Sequence, residues 1–241
     1  MKLCLSWLIW GFILFIPPVL FAQTITDKPD YREIFGEDYE YAVKTLQDNS
    51  RWADSLRKDG IDADFALSII FPELIRFSSI SDFIEVKALE VLYVQYGENY
   101  ADFSVGLFQM KPSFAGQIEA DILRLHLIER FPSLDALIPD TLDNLQLRKE
   151  RIIRLKNEEG QLRYLEAFIR IMDTIYSEMT FNSTEDKLMF YATAYNTGYW
   201  EGDQVIRGAG NQAYFYVGMI EPEVKYNYAD IAVDYFLKFK K

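Results

Sequence analysis

The segment ADFALSIIFPELIRFS, residues 63–78, constrains the fold of this chain more than any other. Its apolar residues recur at spacings of three and four, so that Ala66, Ile69 and Phe77 share one face of a helix. Glu73 falls in the middle of that face. A helix of this composition has to pack its apolar side against other elements, and one carboxylate is carried inward with it.

A carboxylate in such a position loses hydration, which disfavours its charged form and raises its pKa. A raised pKa suits a general acid that must donate a proton near neutral pH. The position equally suits a buried glutamate paired with a cation, and Arg76 follows one turn later. Pro72 favours the functional interpretation, because a proline inside a helix removes a backbone hydrogen bond and such departures gather at functional sites.

The composition excludes several classes of site. The chain has a formal net charge of −12, so nucleic acid is not an expected partner. It has one histidine, His126, and one cysteine, Cys4, which are too few for a zinc site or a Cys/His nucleophile. Its glycines do not form a phosphate loop between a strand and a helix. We therefore expect neither a metal nor a cofactor.

Residues 1–22 have the layout of a secretory signal peptide, with a basic start, an apolar run and a small residue before a polar stretch. A retained membrane anchor is the alternative, but Pro17 and Pro18 would disrupt a spanning helix, and no retained transmembrane span is expected. The sequence predicts an exported protein of the periplasm or cell envelope. Its predicted parts are a polar lead-in over residues 23–37 and one domain over residues 38–241.

Helical periodicity dominates the rest of the chain, and strand patterns are scarce, so the predicted fold class is mainly α. Helices are expected over residues 39–56, 64–77, 82–96, 112–131, 141–159, 161–179 and 183–198, and from about residue 223 onward. Gly160 is expected to end the fifth of these helices. The glycines between residues 202 and 218 predict an irregular loop region.

Two later segments carry polar groups suited to a cleft. VGLFQMKPSFA, residues 105–115, leads into a helix start and contains Gln109, whose amide both donates and accepts hydrogen bonds. YATAYNTG, residues 191–198, ends a helix with Tyr195 and Asn196. Each segment alone is explained equally well by a loop before a core helix, or by a core tyrosine followed by a capping asparagine.

Taken in order, FALSIIFPEL, GLFQMKPSFA and ATAYNTG resemble the lytic transglycosylase and goose-type lysozyme superfamily. Members typically have an apolar helix with Glu-Ser, a Gly-Leu-Met-Gln loop before a Pro-Ser helix start, and a late Ala-Tyr-Asn-Ala-Gly helix end. The resemblance covers roughly residues 60–200. It implies a single lysozyme-like helical domain that acts on the glycan strands of peptidoglycan.

The resemblance also implies roles for individual residues. Glu73 matches the catalytic acid/base, and Gln109 matches the glutamine of the loop. Tyr195 and Asn196 match the pair that lies near the reacting sugar. Phe108 stands where the family has methionine, and it is expected to line the sugar groove together with Tyr195 and Tyr199.

Departures from the family pattern bear on the mechanism. Leu74 stands where the family often has serine, and an insert over residues 79–103 separates Glu73 from the loop. Within the insert, Glu90 is a rival catalytic acid by its spacing from the loop, although its flanking sequence does not match. Asp102, with Glu98 as its alternative, is the candidate second carboxylate, which an inverting hydrolase needs in order to activate water. Either acid is also explained as a solvated residue of the loop.

The sequence leaves three functions open. The first is a lytic transglycosylase or lysozyme-like enzyme with one glutamate as general acid/base. The second is a catalytically silent lysozyme-like domain that binds cell-wall glycan or an envelope partner, which Leu74 and the insert favour. The third is an inverting, chitosanase-like hydrolase of another amino-sugar polymer, which a second carboxylate would favour.

Overall fold

The computed structural model describes residues 29–78, 83–218 and 222–240. The predicted signal peptide over residues 1–22 lies outside the described residues, as do residues 23–28 of the predicted lead-in.

The described residues form a mainly helical fold, which confirms the predicted mainly α class. The helices are α1 (Tyr31–Phe35), α2 (Glu37–Asp48), α3 (Ser50–Lys58), α4 (Ala63–Ser78), α5 (Phe83–Tyr96), α6 (Pro112–Arg124), α7 (Leu127–Arg130), α8 (Asn144–Lys156), α9 (Glu158–Ile175), α10 (Thr184–Thr197), α11 (Asp203–Ala209) and α12 (Tyr228–Phe239). Short 3-10 helices cover Pro132–Leu137 and Tyr199–Glu201. Within the described ranges, extended pairing is limited to two isolated bridges, Val105 with Met110 and Phe215 with Tyr226.

Helix α4 lies at the centre of this fold. It packs against α2, α3, α9, α10 and α12, and every residue from Phe65 to Ile75 is buried. The sequence predicts one apolar face, but neighbours surround the helix on all sides, which explains why Leu67 and Leu74 are apolar as well. The helix continues through Pro72 and holds Glu73 in the protein interior.

A buried ionic cluster holds α5, the helix of the insert, in place. Glu119 of α6 accepts hydrogen bonds from Arg151 and Arg154 of α8, at 2.5 and 3.0 Å, and from the Tyr164 hydroxyl of α9, at 2.5 Å. Arg151 also donates to the Tyr93 hydroxyl of α5 at 2.7 Å. Since buried charges are costly unless they are paired, this Glu119 cluster fixes how α5, α6, α8 and α9 meet.

Several helix boundaries differ from the predicted ones. The helix expected over residues 39–56 is divided at Asn49 into α2 and α3. The helix expected over residues 112–131 ends at Arg124, because His126 adopts the left-handed conformation with φ +54°. Such a backbone conformation cannot continue a right-handed helix.

Gly160 lies inside helix α9, so the prediction that it ends a helix is wrong. The Asn157 side chain accepts hydrogen bonds from the N–H groups of Glu159 and Gly160, which makes Asn157 the N-cap of α9. A side chain at position 160 would collide with the backbone of Arg154 at the end of α8. The glycine therefore allows two consecutive helices to meet closely.

Helices also occur where the sequence predicts a lead-in and a loop, and the last helix, expected from about residue 223, begins at Tyr228. Tyr31 of α1 is buried and lies edge-on to Tyr226, although the sequence places it in the polar lead-in. Helix α11 forms within the stretch that its glycines predict to be irregular. Asp203 and Ile206 of α11 give that short helix an acidic first turn and one buried residue.

None of the helices in the described part of the chain is both long enough and apolar enough to cross a membrane.

Candidate functional site

The side chains that the sequence singles out in three distant segments meet at one cleft of about 330 Å³. Its floor comes from α4, one wall from the loop before α6, and the other wall from the end of α10. The residues that line it are Glu73, Arg76, Asp102, Ser104, Gln109, Met110, Lys111, Ser113, Phe114, Tyr195, Asn196, Thr197, Gly198 and Trp200. The structure thus brings together all the predicted site residues except the expected groove aromatics Phe108 and Tyr199.

Glu73 is the most buried carboxylate of the cleft, with 4% of its surface exposed. Arg76 donates to both of its carboxylate oxygens, at 3.1 and 2.9 Å. Burial raises the pKa of Glu73, while the charge and hydrogen bonds of Arg76, a hydrogen bond with Tyr228 and the charge of Lys111 lower it. The net effect is a raised pKa, because desolvation outweighs these contributions.

Two buried tyrosines lie near this carboxylate. The Tyr228 hydroxyl, on α12, has one proton and two acceptors within reach, the Glu73 carboxylate and the carbonyl oxygen of Ile69 at 2.9 Å. The Tyr195 hydroxyl, on α10, donates to the carbonyl oxygen of Phe108 at 2.8 Å. Burial, together with the nearby charge of Glu73, raises the pKa of both phenols well above its usual value, so both stay protonated.

Backbone geometry shapes the loop that carries Gln109. Val105 and Met110 pair across it, and Gln109 itself has a positive φ of +50°, which is uncommon for a residue other than glycine. The Gln109 amide nitrogen donates to the carbonyl oxygen of Gly106 at 2.8 Å. This bond leaves the side-chain oxygen of Gln109 as the group to accept a hydrogen bond from a ligand.

Gly106 lies against α8 and α9 with φ +72°. A Cβ atom there would come within 2.5 Å of the Leu155 carbonyl oxygen and 2.6 Å of Gln161 Cδ. The buried Gln161 side chain in turn accepts a hydrogen bond from the Phe108 N–H at 2.8 Å. The loop therefore has the shape that α9 imposes on it, and glycine is required for that approach.

Phe108 does not line the cleft, and this corrects the expectation that it forms part of the sugar groove. Its side chain is 1% exposed and lies edge-on to the buried Trp52, at 5.3 Å between ring centroids. Tyr199, another expected groove aromatic, is also buried, and its hydroxyl donates to Asp121 at 2.8 Å. A buried ring cannot stack on a ligand, so both residues act as packing.

Trp200 is an exposed aromatic residue of the cleft that the sequence analysis did not predict. Its ring is packed against Tyr199 and Phe114, at 5.2 and 5.8 Å, yet the residue is 46% exposed. It follows the Gly198 C-cap of α10, where φ is +102°. The sequence contains a signal for this position. Two aromatic residues directly follow the glycine that ends the helix, which places at least one ring at the helix end.

Asn196 and Asp102 reach the cleft from opposite walls. Asn196 is exposed near the end of α10, and Gly198 rather than Asn196 serves as C-cap. The two carboxylate oxygens of Asp102 accept hydrogen bonds from Ser113, one from the backbone N–H at 3.1 Å and one from the hydroxyl at 2.8 Å. Asp102 thus fixes the start of α6 as well as facing the cleft.

Glu90, the rival acid by spacing, lies away from the cleft. Its carboxylate pairs with Lys156 at 2.8 Å and borders a larger groove of about 590 Å³ between α5 and α8. That groove has mainly apolar walls, including Val91 and Ile153. It contains none of the residues that the three motifs predict, so we place the candidate site at the smaller cleft.

No grouping of histidine, cysteine and acidic side chains suited to a metal ion occurs among the described residues. His126 is largely exposed and lies 3.7 Å from Glu129. No protein-family model, no curated protein and no solved structure matches this chain. The lysozyme-like superfamily therefore stays a prediction that depends on the three motifs.

Proposed function

We propose that this protein is an exported enzyme that cleaves the glycan strand of peptidoglycan, with Glu73 as general acid/base. The observation that supports the proposal is the meeting of Glu73, Gln109 and Asn196 at one cleft. These residues come from three segments far apart in sequence, and the sequence alone predicts each of them as a site residue. Packing or capping alone gives no reason for their polar groups to converge.

The chemistry proposed for Glu73 follows from its environment. Burial raises its pKa, so the carboxyl can hold a proton and donate it to the glycosidic oxygen as the bond to the sugar's anomeric carbon breaks. In a lytic transglycosylase, a hydroxyl of the same sugar then attacks that carbon and returns its proton to the carboxylate. The product is an anhydro sugar, and no second carboxylate is needed.

The walls of the cleft supply groups suited to a sugar. The side-chain oxygen of Gln109 accepts, and the amide of Asn196 both donates and accepts, hydrogen bonds of the kind that hydroxyl and acetamido groups form. The exposed ring of Trp200 gives an apolar face beside these polar groups. This combination of an aromatic surface and a few directed polar groups is typical of ligand clefts.

A silent glycan-binding domain is the second candidate, and the Arg76 contact favours it. The Glu73 carboxylate is 4% exposed and accepts hydrogen bonds from the Arg76 guanidinium at 2.9 and 3.1 Å. This arrangement resembles a structural ion pair. The inverting, chitosanase-like hydrolase has less support. Asp102, which would have to activate water, already accepts two hydrogen bonds from Ser113.

The test uses purified peptidoglycan and mass analysis of the released fragments. The unmodified protein without residues 1–22 is compared with Glu73→Gln, Asp102→Asn and the control Glu90→Gln, which removes a carboxylate outside the cleft. We expect anhydro-muropeptides from the unmodified protein and the control, and none from Glu73→Gln. Asp102→Asn should keep the anhydro product.

Other outcomes assign the other functions. Reducing ends in place of anhydro ends, lost in both Glu73→Gln and Asp102→Asn, would indicate an inverting hydrolase. Intact peptidoglycan that nevertheless retains the protein in a pull-down would indicate the silent binder and overturn the proposed activity. Circular dichroism of each variant shows whether a loss reflects chemistry or folding.

A further inference from the structure

The cleft contains two cationic side chains, Arg76 and Lys111, in a chain whose formal net charge is −12. They face the two carboxylates of the cleft, Glu73 and Asp102. The cleft is therefore formally neutral within an acidic protein. An anionic ligand meets less repulsion here than over a surface with the average charge of the chain.

The two cations differ in how firmly they are held. The Arg76 guanidinium is bound to Glu73, lies 4.6 Å from the centre of the Phe215 ring, and donates to the Tyr216 carbonyl oxygen at 3.4 Å. These contacts fix it beside the proposed acid. Arg76 is therefore placed to lower the pKa of Glu73, and it is not free to move with a bound ligand.

Lys111 is held far less firmly. Its side chain is 56% exposed, and its ammonium group reaches Asp102 at 4.0 Å, the outer limit of an ion pair. Asp102 is itself held by Ser113 at 2.8 and 3.1 Å, so it does not depend on Lys111 for its position. A flexible ammonium group at the cleft edge, weakly paired, is available to a second anion.

We propose that Lys111 is a specificity-determining residue that binds a carboxylate carried by the glycan. The inference rests on the proposed function and names the feature of the substrate that this site would select. Peptidoglycan supplies carboxylates in two places, on the lactyl ether of the muramic acid sugar and on its stem peptide. Chitin carries none, and chitosan carries ammonium groups, which Lys111 and Arg76 would repel.

The experiment measures binding separately from cleavage. Calorimetric titrations use Glu73→Gln protein, with and without Lys111→Met, and a matched control, Lys149→Met, which removes an exposed lysine of α8 outside the cleft. The probes are three tetrasaccharides: chitotetraose, a peptide-free N-acetylglucosamine–N-acetylmuramic acid oligomer, and the same oligomer with stem peptides. The first carries no carboxylate, the second has free lactyl carboxylates, and the third has only peptide carboxylates.

We expect Lys111→Met to weaken binding of at least one carboxylate-bearing oligomer by about fivefold, the effect of about 1 kcal/mol for a partly exposed ion pair. Whichever oligomer responds identifies the source of the carboxylate. Chitotetraose affinity should not change, and added salt should reduce the difference. Lys149→Met should leave all three affinities unchanged.

An equal loss for chitotetraose, no loss for either anionic oligomer, or no binding of these oligomers overturns the inference. These results are separable from the cleavage test. Peptidoglycan cleavage without any effect of Lys111 on binding leaves the proposed function standing and removes this inference alone. Binding that depends on Lys111, without any cleavage, supports the inference about Lys111 and overturns the proposed activity.

Discussion

One nitrogen of Arg76, Nη1, donates to both carboxylate oxygens of Glu73, at 2.9 and 3.1 Å. The contact joins the two interpretations that the sequence left open for this glutamate. Desolvation makes Glu73 a suitable acid, and the guanidinium keeps its pKa from rising further. The balance between these effects determines over which pH range Glu73 holds its proton.

Replacing Arg76 with glutamine is expected to raise the pKa of Glu73 further, because the largest influence that lowers it is removed while burial remains. Carbon-13 NMR of the glutamate side-chain carboxyls, with Glu73→Gln for assignment, measures this pKa without requiring activity. Lys149→Gln is the control, since Lys149 lies outside the cleft. An unchanged or lower pKa in Arg76→Gln would show that the guanidinium does not stabilise the charged form.

Glu73 should also leave a signature in the pH dependence of stability. Its folded pKa is raised above the ordinary 4.5, so the native state binds its proton more tightly than the unfolded chain does. That contribution is fully present below pH 4.5 and is lost as the pH rises through the folded pKa. The free energy of unfolding of the unmodified protein, minus that of Glu73→Gln, should therefore fall as the pH increases above 4.5.

Urea titrations at a series of pH values measure this difference, and a constant offset between the two proteins does not affect its slope. Glu90→Gln is the control, because it removes a carboxylate that lies outside the cleft. A difference that stays flat or increases with pH would contradict a raised pKa at Glu73.

The sequence predicts best those features that are set locally. The bounds of α10 follow from the hydroxyl of Ser183, which caps its start, and from Gly198, which ends it with a positive φ. Glu73 could be located because its helical spacing alone places it among apolar residues. In these cases the deciding contacts lie within one or two turns of the residue.

Features that depend on distant packing could not be predicted in this way. Phe108 points inward because Gln161, on another helix, binds its N–H and Trp52 receives its ring. Gly160 allows α8 and α9 to meet, and no local pattern distinguishes such a glycine from a helix end. Lys111 and Asp102 became neighbours at one cleft through the position of the insert, which the sequence only identified as extra length.

Gly106→Ala is expected to destabilise the protein more than Gly60→Ala, although the two glycines have nearly the same positive φ, +72° and +73°. The two variants share a conformational cost of about 1–2 kcal/mol for an alanine at such a φ. A Cβ atom at position 106 also collides with the Leu155 carbonyl oxygen and Gln161, whereas at position 60 the nearest atom is an Arg170 side-chain nitrogen at 3.6 Å. The additional cost at 106 should be about 1–3 kcal/mol, the usual price of overpacking.

Urea unfolding of the two variants measures the comparison, and Gly106→Ala should also weaken any activity of the cleft because the same loop carries Gln109. Equal destabilisation would mean that the loop adjusts without displacing α9. In that case the close approach of Gly106 to Leu155 would not be what shapes the site.

Glu119→Gln should be among the most destabilising single changes in this protein. The Glu119 carboxylate is 6% exposed and holds Arg151 and Arg154, which are 9% and 17% exposed. Removing one partner of a buried ionic cluster leaves uncompensated charge, at a cost of about 3–5 kcal/mol. Glu90→Gln is the matched comparison, since its partner Lys156 is 51% exposed and such pairs contribute about 0–1 kcal/mol.

Thermal and urea unfolding measure both changes. A loss below about 1 kcal/mol in Glu119→Gln would show that the neutral amide satisfies the two guanidinium groups, and that α5, α6, α8 and α9 are held together by apolar packing instead.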